Sequence, residues 1–515
     1  MNLLMRSSNT KHKKHTLATA IVCSILLVLP GCGIPKLRHP WAARELPETF
    51  NGVTSADNSS QVGIEEFFDD PVLTDLIDQG LTGNQQLKML GEDIQVANNE
   101  ILKRRGAYLP FVTLGAAAML TKFSNSTIEG SDNLNDPFQG GGFPSPYPDF
   151  LGAANFSWQI DVWRQLRNAR DAAGLRYLGT TDGRNFVVTR LVAEIAENYY
   201  GLMALDQRIK NLDRIIALQE GSLVRAEALK LGAQGTELGV QRFTAEVRKN
   251  QSEKLILKQE IIEVENRINF LLGRFPQPVE RNSEGFFDLN LHELRLGVPC
   301  DLLLNRPDIR QAERELQASG LDIKVARANF YPRVMLTAGV GYQAFDPRFL
   351  FLTPESLIYN VAGDLVAPLI NKNAIKAEYM SANAKQLQAL YDYQRTTLNA
   401  FTEVINRFSK VQNYTNSIEI KKQQLVALEE SVTIAGRLFQ AARIQYMDVL
   451  FAQRDLADAR MVLIDTKRQQ LSAIVNTYQA LGGGLVRFEY PNGMQVQPVE
   501  PADADEVSIP APEAK

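Results

Sequence analysis

Two stretches of this chain, residues 149–275 and 369–490, contain no proline. Both are rich in Ala, Leu, Glu, Gln, Lys and Arg, the residues that lose least on entering a helix. Apolar side chains recur at helical spacing in each, for example Ile215, Leu218, Leu223 and Leu229, then Leu387, Leu390, Tyr391 and Leu398. A helix over 374–439 would run about 100 Å at ~1.5 Å per residue. That is about three times the hydrocarbon thickness of a bilayer and far beyond an ordinary globular helix. A helix of that length needs coiled-coil-like neighbours to bury its apolar stripe.

Segments of a different period interrupt the helices. Over 150–161, Phe150, Ala154, Phe156, Trp158 and Ile160 are apolar, and Asn155, Ser157, Gln159 and Asp161 between them are polar. Over 334–345, Val334, Leu336, Ala338, Val340 and Tyr342 alternate with Thr337, Gly339, Gly341 and Gln343. Period two with one apolar face predicts strands, and their length suits an outer-membrane barrel or an ordinary soluble sheet. Segments 111–123 and 357–369 are their expected partners, with weaker alternation; Asn360 and Asp364 mark a polar face in the latter. Residues 124–149 and 346–356 read as exposed loops.

The chain repeats itself. Arg105-Gly-Ala-Tyr-Leu-Pro110-Phe-Val-Thr-Leu114 returns as Arg327-Ala-Asn-Phe-Tyr-Pro332-Arg-Val-Met-Leu336, and Leu271-Leu272-Gly273 as Leu481-Gly482-Gly483. Each half therefore reads helix, strand, strand, long helix, helix, the mark of a duplicated unit. Four strands per chain cannot close a barrel, since the smallest bacterial ones have about eight. Any barrel must then be oligomeric, and two, three or four copies satisfy the arithmetic equally.

The chain is poor in chemistry. No mature segment approaches ~18 consecutive apolar residues, so a membrane-spanning part must be a barrel. Basic residues Arg6, Lys11, Lys13 and Lys14 precede a short apolar run and then Leu29-Pro30-Gly31-Cys32. That is the layout of a secretory signal over 1–31. Its end resembles a bacterial lipobox, which implies cleavage between Gly31 and Cys32 and S-diacylglycerol and N-acyl groups on Cys32. The alternative is an ordinary signal with a stray Cys. Gly33, in place of Asp, favours the outer membrane. Loss of that segment lowers the net charge from −4 to −8, which argues against nucleic acid as a partner. Cys32 and Cys300 are then the only cysteines, and His39 and His292 the only histidines. No metal site, no cofactor beyond the lipid and no enzyme activity is expected.

Arg306-Pro307-Asp308-Ile309, followed by Ala312-Glu313 and by Tyr331-Pro332, resembles the hallmark of the TolC-type outer-membrane efflux proteins, lipoprotein branch (OprM/NodT-like). Cys300 stands where that pattern usually has Ser. Phe156-Ser-Trp-Gln-Ile-Asp161 and Ala400-Phe-Thr-Glu403-Val404 match further blocks. The resemblance implies a homotrimer whose twelve strands form one outer-membrane barrel, continued by a periplasmic α-helical barrel. It implies a periplasmic adaptor and an inner-membrane pump, of the proton-driven RND type, with this chain as a passive exit duct. Arg306, Pro307 and Asp308 also have a simple helix-start reading. The organisation expected is a lipidated extended segment 32–64, a first repeat 65–274, a connecting segment 275–305, a second repeat 306–483 and a Pro- and acid-rich tail 484–515 expected to be disordered.

The resemblance also places a gate at the turn 439–453, with Ala442 where the family has Gly and Asp448 on the family's constricting carboxylate. Phe451 takes the place of a second carboxylate. A ring of Asp448 side chains would attract cations, and Asp448 would equally cap the last helix. Arg443 and Tyr446 are candidates to lock the tip between subunits or to be solvated. Gly232, Gly235 and Glu237 mark the matching first-half turn, the candidate adaptor contact. Rival readings are a type I secretion duct and a structural envelope lipoprotein.

Overall fold

The computed structural model describes residues 34–39, 45–124, 126, 146–233, 235–289, 291, 293–368, 370, 372–441 and 443–485. Gly31, Cys32, most of the first loop and nearly all of the tail lie outside the described residues. After short helices α1 (Ile64–Phe68) and α2 (Pro71–Gly83), the first repeat runs α3 (Gln85–Ala107), β1 (Phe111–Thr121), β2 (Tyr147–Ile160), α4 (Gln165–Leu231) and α5 (Glu237–Leu272). A short α6 (Asp301–Asn305) leads into the second: α7 (Pro307–Ala328), β3 (Arg333–Ala344), β4 (Leu357–Val366), α8 (Asn373–Gln440) and α9 (Tyr446–Ala480). The long helices have 67 and 68 residues and their successors 36 and 35, so the duplication holds to a residue in length.

Strand ends differ from expectation by a few residues, for local reasons. β2 stops at Ile160 because Asp161 turns to accept from the N–H groups of Leu166 (3.1 Å) and Arg167 (2.9 Å), capping the start of α4. β4 stops at Val366, two residues before Pro368, which has no N–H for a ladder.

The chain divides into two compact units, each drawing on both repeats: Met1–Trp41, Ala97–Tyr177 and Glu315–Leu390 form one, and the remaining segments the other. The first unit holds one sheet of order β1-β2-β3-β4, antiparallel throughout. The pairing of β2 with β3 joins the repeats. At the strand ends Trp158 Nε1 donates to the Tyr108 carbonyl (3.0 Å) and Trp163 Nε1 to that of Pro332 (2.8 Å). Trp163 stacks on Tyr331 at 4.7 Å. A small cluster of Ile323, Phe330, Tyr379 and Ala382 receives Ile34 and Leu37 of the N-terminal segment. Buried Asn383 fixes that segment by pairing its carboxamide with both the N–H (3.0 Å) and the C=O (3.3 Å) of Arg38.

The second unit has a substantial apolar core, in which Phe67, Ile77, Ile195, Leu202, Ile268 and Phe286 are fully buried. Tyr478 stacks on Phe67 at 3.9 Å and donates its hydroxyl to the Val62 carbonyl at 2.7 Å. Tyr199 donates to Asp70 (3.0 Å), which also caps α2 through the N–H groups of Val72 and Leu73. Burial, then the Asp70 carboxylate, pushes the Tyr199 phenol far up, so it stays a donor. The repeated Leu-Gly endings have one backbone cause. Gly273 closes α5 at φ 71° and Gly482 follows α9 at φ 95°, both left-handed positions that a side chain would strain.

Candidate functional site

The sheet has two chemically different faces, and the register assigns every residue to one. Directly paired residues share a face. One face carries the rows Leu114–Ala154–Val340–Tyr359, Val112–Phe156–Ala338–Val361 and Trp158–Leu336–Gly363. No polar group other than the Tyr359 hydroxyl and the Trp158 indole interrupts those rows. The opposite face carries Thr113–Asn155–Gly339–Asn360, Phe111–Ser157–Thr337–Ala362 and Gln159–Met335–Asp364. Gln343 donates to Asp149 at 2.8 Å on this polar face.

The polar face is built from small residues where space is short. A Cβ on Gly339 would stand 2.6 Å from Asn360 Oδ1 and 3.1 Å from Asn155 Oδ1, so the two amides lean over that glycine. A Cβ on Gly341 would stand 2.6 Å from the Cβ of Ala153 across the ladder. Meanwhile β1 and β4 are exposed along almost their whole length, and each has one unpaired edge. Much of the sheet stands open, and its exposed apolar residues include Leu114, Val340, Tyr359 and Val361. Large apolar area facing outward, polar residues on the other side and open edges are what a barrel segment presents before closure.

The two helix turns meet in the second unit. Leu223, Ala226, Val240, Phe243, Tyr446 and Leu450 form one small apolar cluster. Tyr446 packs its ring over Gly239, within 3.5 Å of the Cβ position, and lies 6.2 Å from Phe243. Asp448 sits in the first turn of α9, and its Oδ2 accepts from the Gln445 N–H at 3.0 Å, so the capping role is present. Phe451 is 51% exposed, one turn along. Arg443 is exposed, and its N–H closes the end of α8 on the Leu438 carbonyl at 2.9 Å. In the matching turn, Gly232 donates to Ala228 O (3.0 Å), Glu237 pairs with Lys230, and Gln241 donates to Glu237 at 2.7 Å. The Gln241 amide and then the Lys230 ammonium hold the Glu237 carboxyl below its usual range. Gly235 lies so near the end of α4 that a Cβ would meet Lys230 N at 2.9 Å.

Pro307 and Asp308 do start α7, but Arg306 before them does more than the helix-start reading expects. It is 3% exposed and donates to Asp308 (2.6 Å), Glu403 of α8 (3.0 Å) and the Ala480 carbonyl at the end of α9 (2.8 Å). Arg407 shares Glu403 and reaches Gln479 at 2.7 Å. Burial weighs against the Arg306 charge, but Asp308 and then Glu403 more than repay it. The partner Glu403 is 97 positions away, and only its place in a second family block marked it.

Residues 76–274 and 298–483 match the model of the outer membrane efflux protein family, and the chain belongs to that family. It is 27% identical over 476 residues to the cation efflux system protein CusC of Escherichia coli O6:H1, covering 89% of this chain and 97% of that one. It is 26% identical over 469 residues to the solvent efflux pump outer membrane protein SrpC of Pseudomonas putida, covering 89% and 97%. A crystal structure of CusC superposes with a TM-score of 0.77 at 23% identity, over 88% of this chain and 99% of that one. The chain is thus an outer-membrane efflux channel protein of the TolC type, in a family of channels rather than enzymes. No helix among the described residues is long and apolar enough to cross a membrane.

Proposed function

We propose that three copies of this chain close a twelve-stranded barrel in the outer membrane and form the exit duct of a tripartite efflux system. The observation that carries this reading is the two-faced sheet with two open edges. Its apolar face meets lipid, its polar face lines the pore, and the edges pair with the next subunit. The duct passes small toxic compounds, drugs or metals delivered by a proton-driven inner-membrane pump through a periplasmic adaptor. Relatives named for cations and for solvents support a passive duct whose cargo the pump selects. A structural spacer would need neither the polar face nor the open edges. The protein needs no cofactor beyond lipid on Cys32, which sorts and tethers the subunit.

The helix turns form the gate and the adaptor contact, with Asp448, Phe451, Tyr446 and Arg443 at the gate and Gly232, Gly235 and Glu237 at the contact. Planar-bilayer recording tests the duct: the purified oligomer should conduct, and a silent oligomer would overturn the reading. Asp448→Asn keeps an acceptor for the Gln445 N–H while removing the charge. It should lower cation preference in the same recordings, and unchanged selectivity would remove Asp448 from the gate.

A further inference from the structure

The loop between β3 and β4 is not built like a turn that faces water. Turn residues begin and end it, Asp346-Pro347 and Thr353-Pro354-Glu355, but its centre is Phe349-Leu350-Phe351-Leu352. Phe351 is 76% exposed, Leu352 47% and Phe349 41%. Single apolar residues on a surface are ordinary, whereas a contiguous exposed patch marks a surface that meets something apolar.

The loop is nevertheless folded. Phe349, Leu350 and Leu352 donate their N–H groups to the carbonyls of Asp346 (3.0 Å), Pro347 (3.3 Å) and Phe349 (3.1 Å). The Asp346 carboxylate accepts from the Arg348 N–H at 2.8 Å and pairs with its guanidinium at 2.7 Å. Buried Ser356 ties the far end back, donating its Oγ to the Phe349 carbonyl (2.6 Å) and its N–H to that of Leu352 (3.0 Å). These backbone groups satisfy one another while the apolar side chains stay outside. Backbone that meets its own hydrogen bonds is the condition for entering a lipid layer.

The register fixes the side on which the loop lies. Tyr342 shares a row with Gly152 and Leu357, on the face of Val340, Tyr359 and Val361. Phe351 packs edge-on against Tyr342 with ring centroids 5.8 Å apart, and the Tyr342 hydroxyl meets Thr353 Oγ1 at 3.1 Å. The loop therefore folds over the apolar face. β3 is an inner strand, paired on both sides, so a neighbouring copy that takes the β1 and β4 edges leaves this patch uncovered. The depth agrees. β3 has 12 residues. It spans ~40 Å at ~3.3 Å each and rises ~30 Å at a ~40° tilt, against an apolar band of ~25 Å. Tyr342, near the end of the strand, stands at the rim of that band. The opposite ends of the strands continue into helices, so this rim faces the cell exterior.

We infer that residues 349–352 insert into the outer leaflet of the outer membrane as an apolar anchor at the barrel rim. Their partner is the acyl layer of a lipid surface, and the Asp346–Arg348 pair lies at headgroup level. The inference rests on the barrel reading proposed above.

The test uses the full-length oligomer with Cys300→Ser in phosphatidylcholine vesicles. A nitroxide label is placed on Phe351→Cys in the loop, Val361→Cys on the apolar face or Thr337→Cys on the polar face. Relaxation of the label by oxygen, which concentrates in lipid, is compared with relaxation by a water-soluble nickel chelate. The Phe351 and Val361 labels should respond far more to oxygen, and the Thr337 label far more to nickel. Phe351 is mostly exposed, so its replacement removes few internal contacts, and oligomer on gels confirms assembly. Nickel dominance at Phe351 with oxygen dominance at Val361 overturns the anchor and leaves the barrel standing. A Phe351 label reached by neither reagent shows that protein covers the loop, and overturns the lipid contact as well. Nickel dominance at Val361 overturns the barrel reading itself, and the anchor with it.

Discussion

Removing the guanidinium of Arg306 leaves Asp308, Glu403 and the Ala480 carbonyl without their shared donor. Breaking a buried ion pair from one side costs roughly 3–5 kcal/mol when the partner is left unpaired; here Glu403 keeps Arg407 and Asp308 keeps the Ile309 N–H, so the loss falls below that range. Arg306→Leu should therefore lower the thermal midpoint of the oligomer at fixed scan rate. Arg306→Lys keeps the charge, loses the fork that reaches three acceptors, and should fall between. A midpoint unchanged in Arg306→Leu would show that the cluster contributes nothing. The neighbouring Pro307-Asp308 start of α7 was readable from two adjacent letters. The role of Arg306 was not, because burial and three distant acceptors leave no local periodic signal.

Within the sheet, face assignment converts directly into tolerance. Val340 lies on the apolar face and Thr337 on the polar one. An arginine on the lipid side near the membrane midplane costs roughly 2–4 kcal/mol, while a pore-lining one alters conduction instead. Val340→Arg should reduce the yield of heat-resistant oligomer on gels. Thr337→Arg should assemble and shift single-channel selectivity toward anions. Equal yields would place both residues on one face and contradict the register. Gly341 gives a steric counterpart. Gly341→Val drives a side chain into Ala153 across the ladder and should block assembly, whereas Gly152→Ala meets nothing within 4 Å and should not. The same gels read both. β2 and β3 were legible because large apolar and polar residues alternate there. β1 gave a weaker signal because Gly115, Ala116, Ala117 and Ala118 carry little contrast, and its faces follow only from pairing with β2. The long helix was legible almost to its ends, expected at 374–439 and found at Asn373–Gln440, since period and absence of proline persist along it.

At the scale of the molecule, the two units differ in what holds them. The second has its own core, with Phe67, Tyr199, Leu202, Ile268 and Tyr478 buried within one chain. The sheet of the first has no comparable core: β1 and β4 are exposed along almost their whole length. A lone antiparallel sheet with no such core and two free edges is not independently stable in water. In the proposed assembly it gains its stability from closure with other subunits and from lipid. The helices and the strands should therefore fail separately. When the oligomer is heated in detergent, loss of β signal in circular dichroism should coincide with dissociation on gels. Much of the helical signal should survive that step and disappear at a higher temperature, when the core around Tyr478 opens. A dissociated subunit that kept its sheet would mean that four strands suffice alone, and would remove the physical reason for a barrel shared between copies. A single transition for both signals would instead tie the helical core to subunit contacts, against the burial seen within one chain.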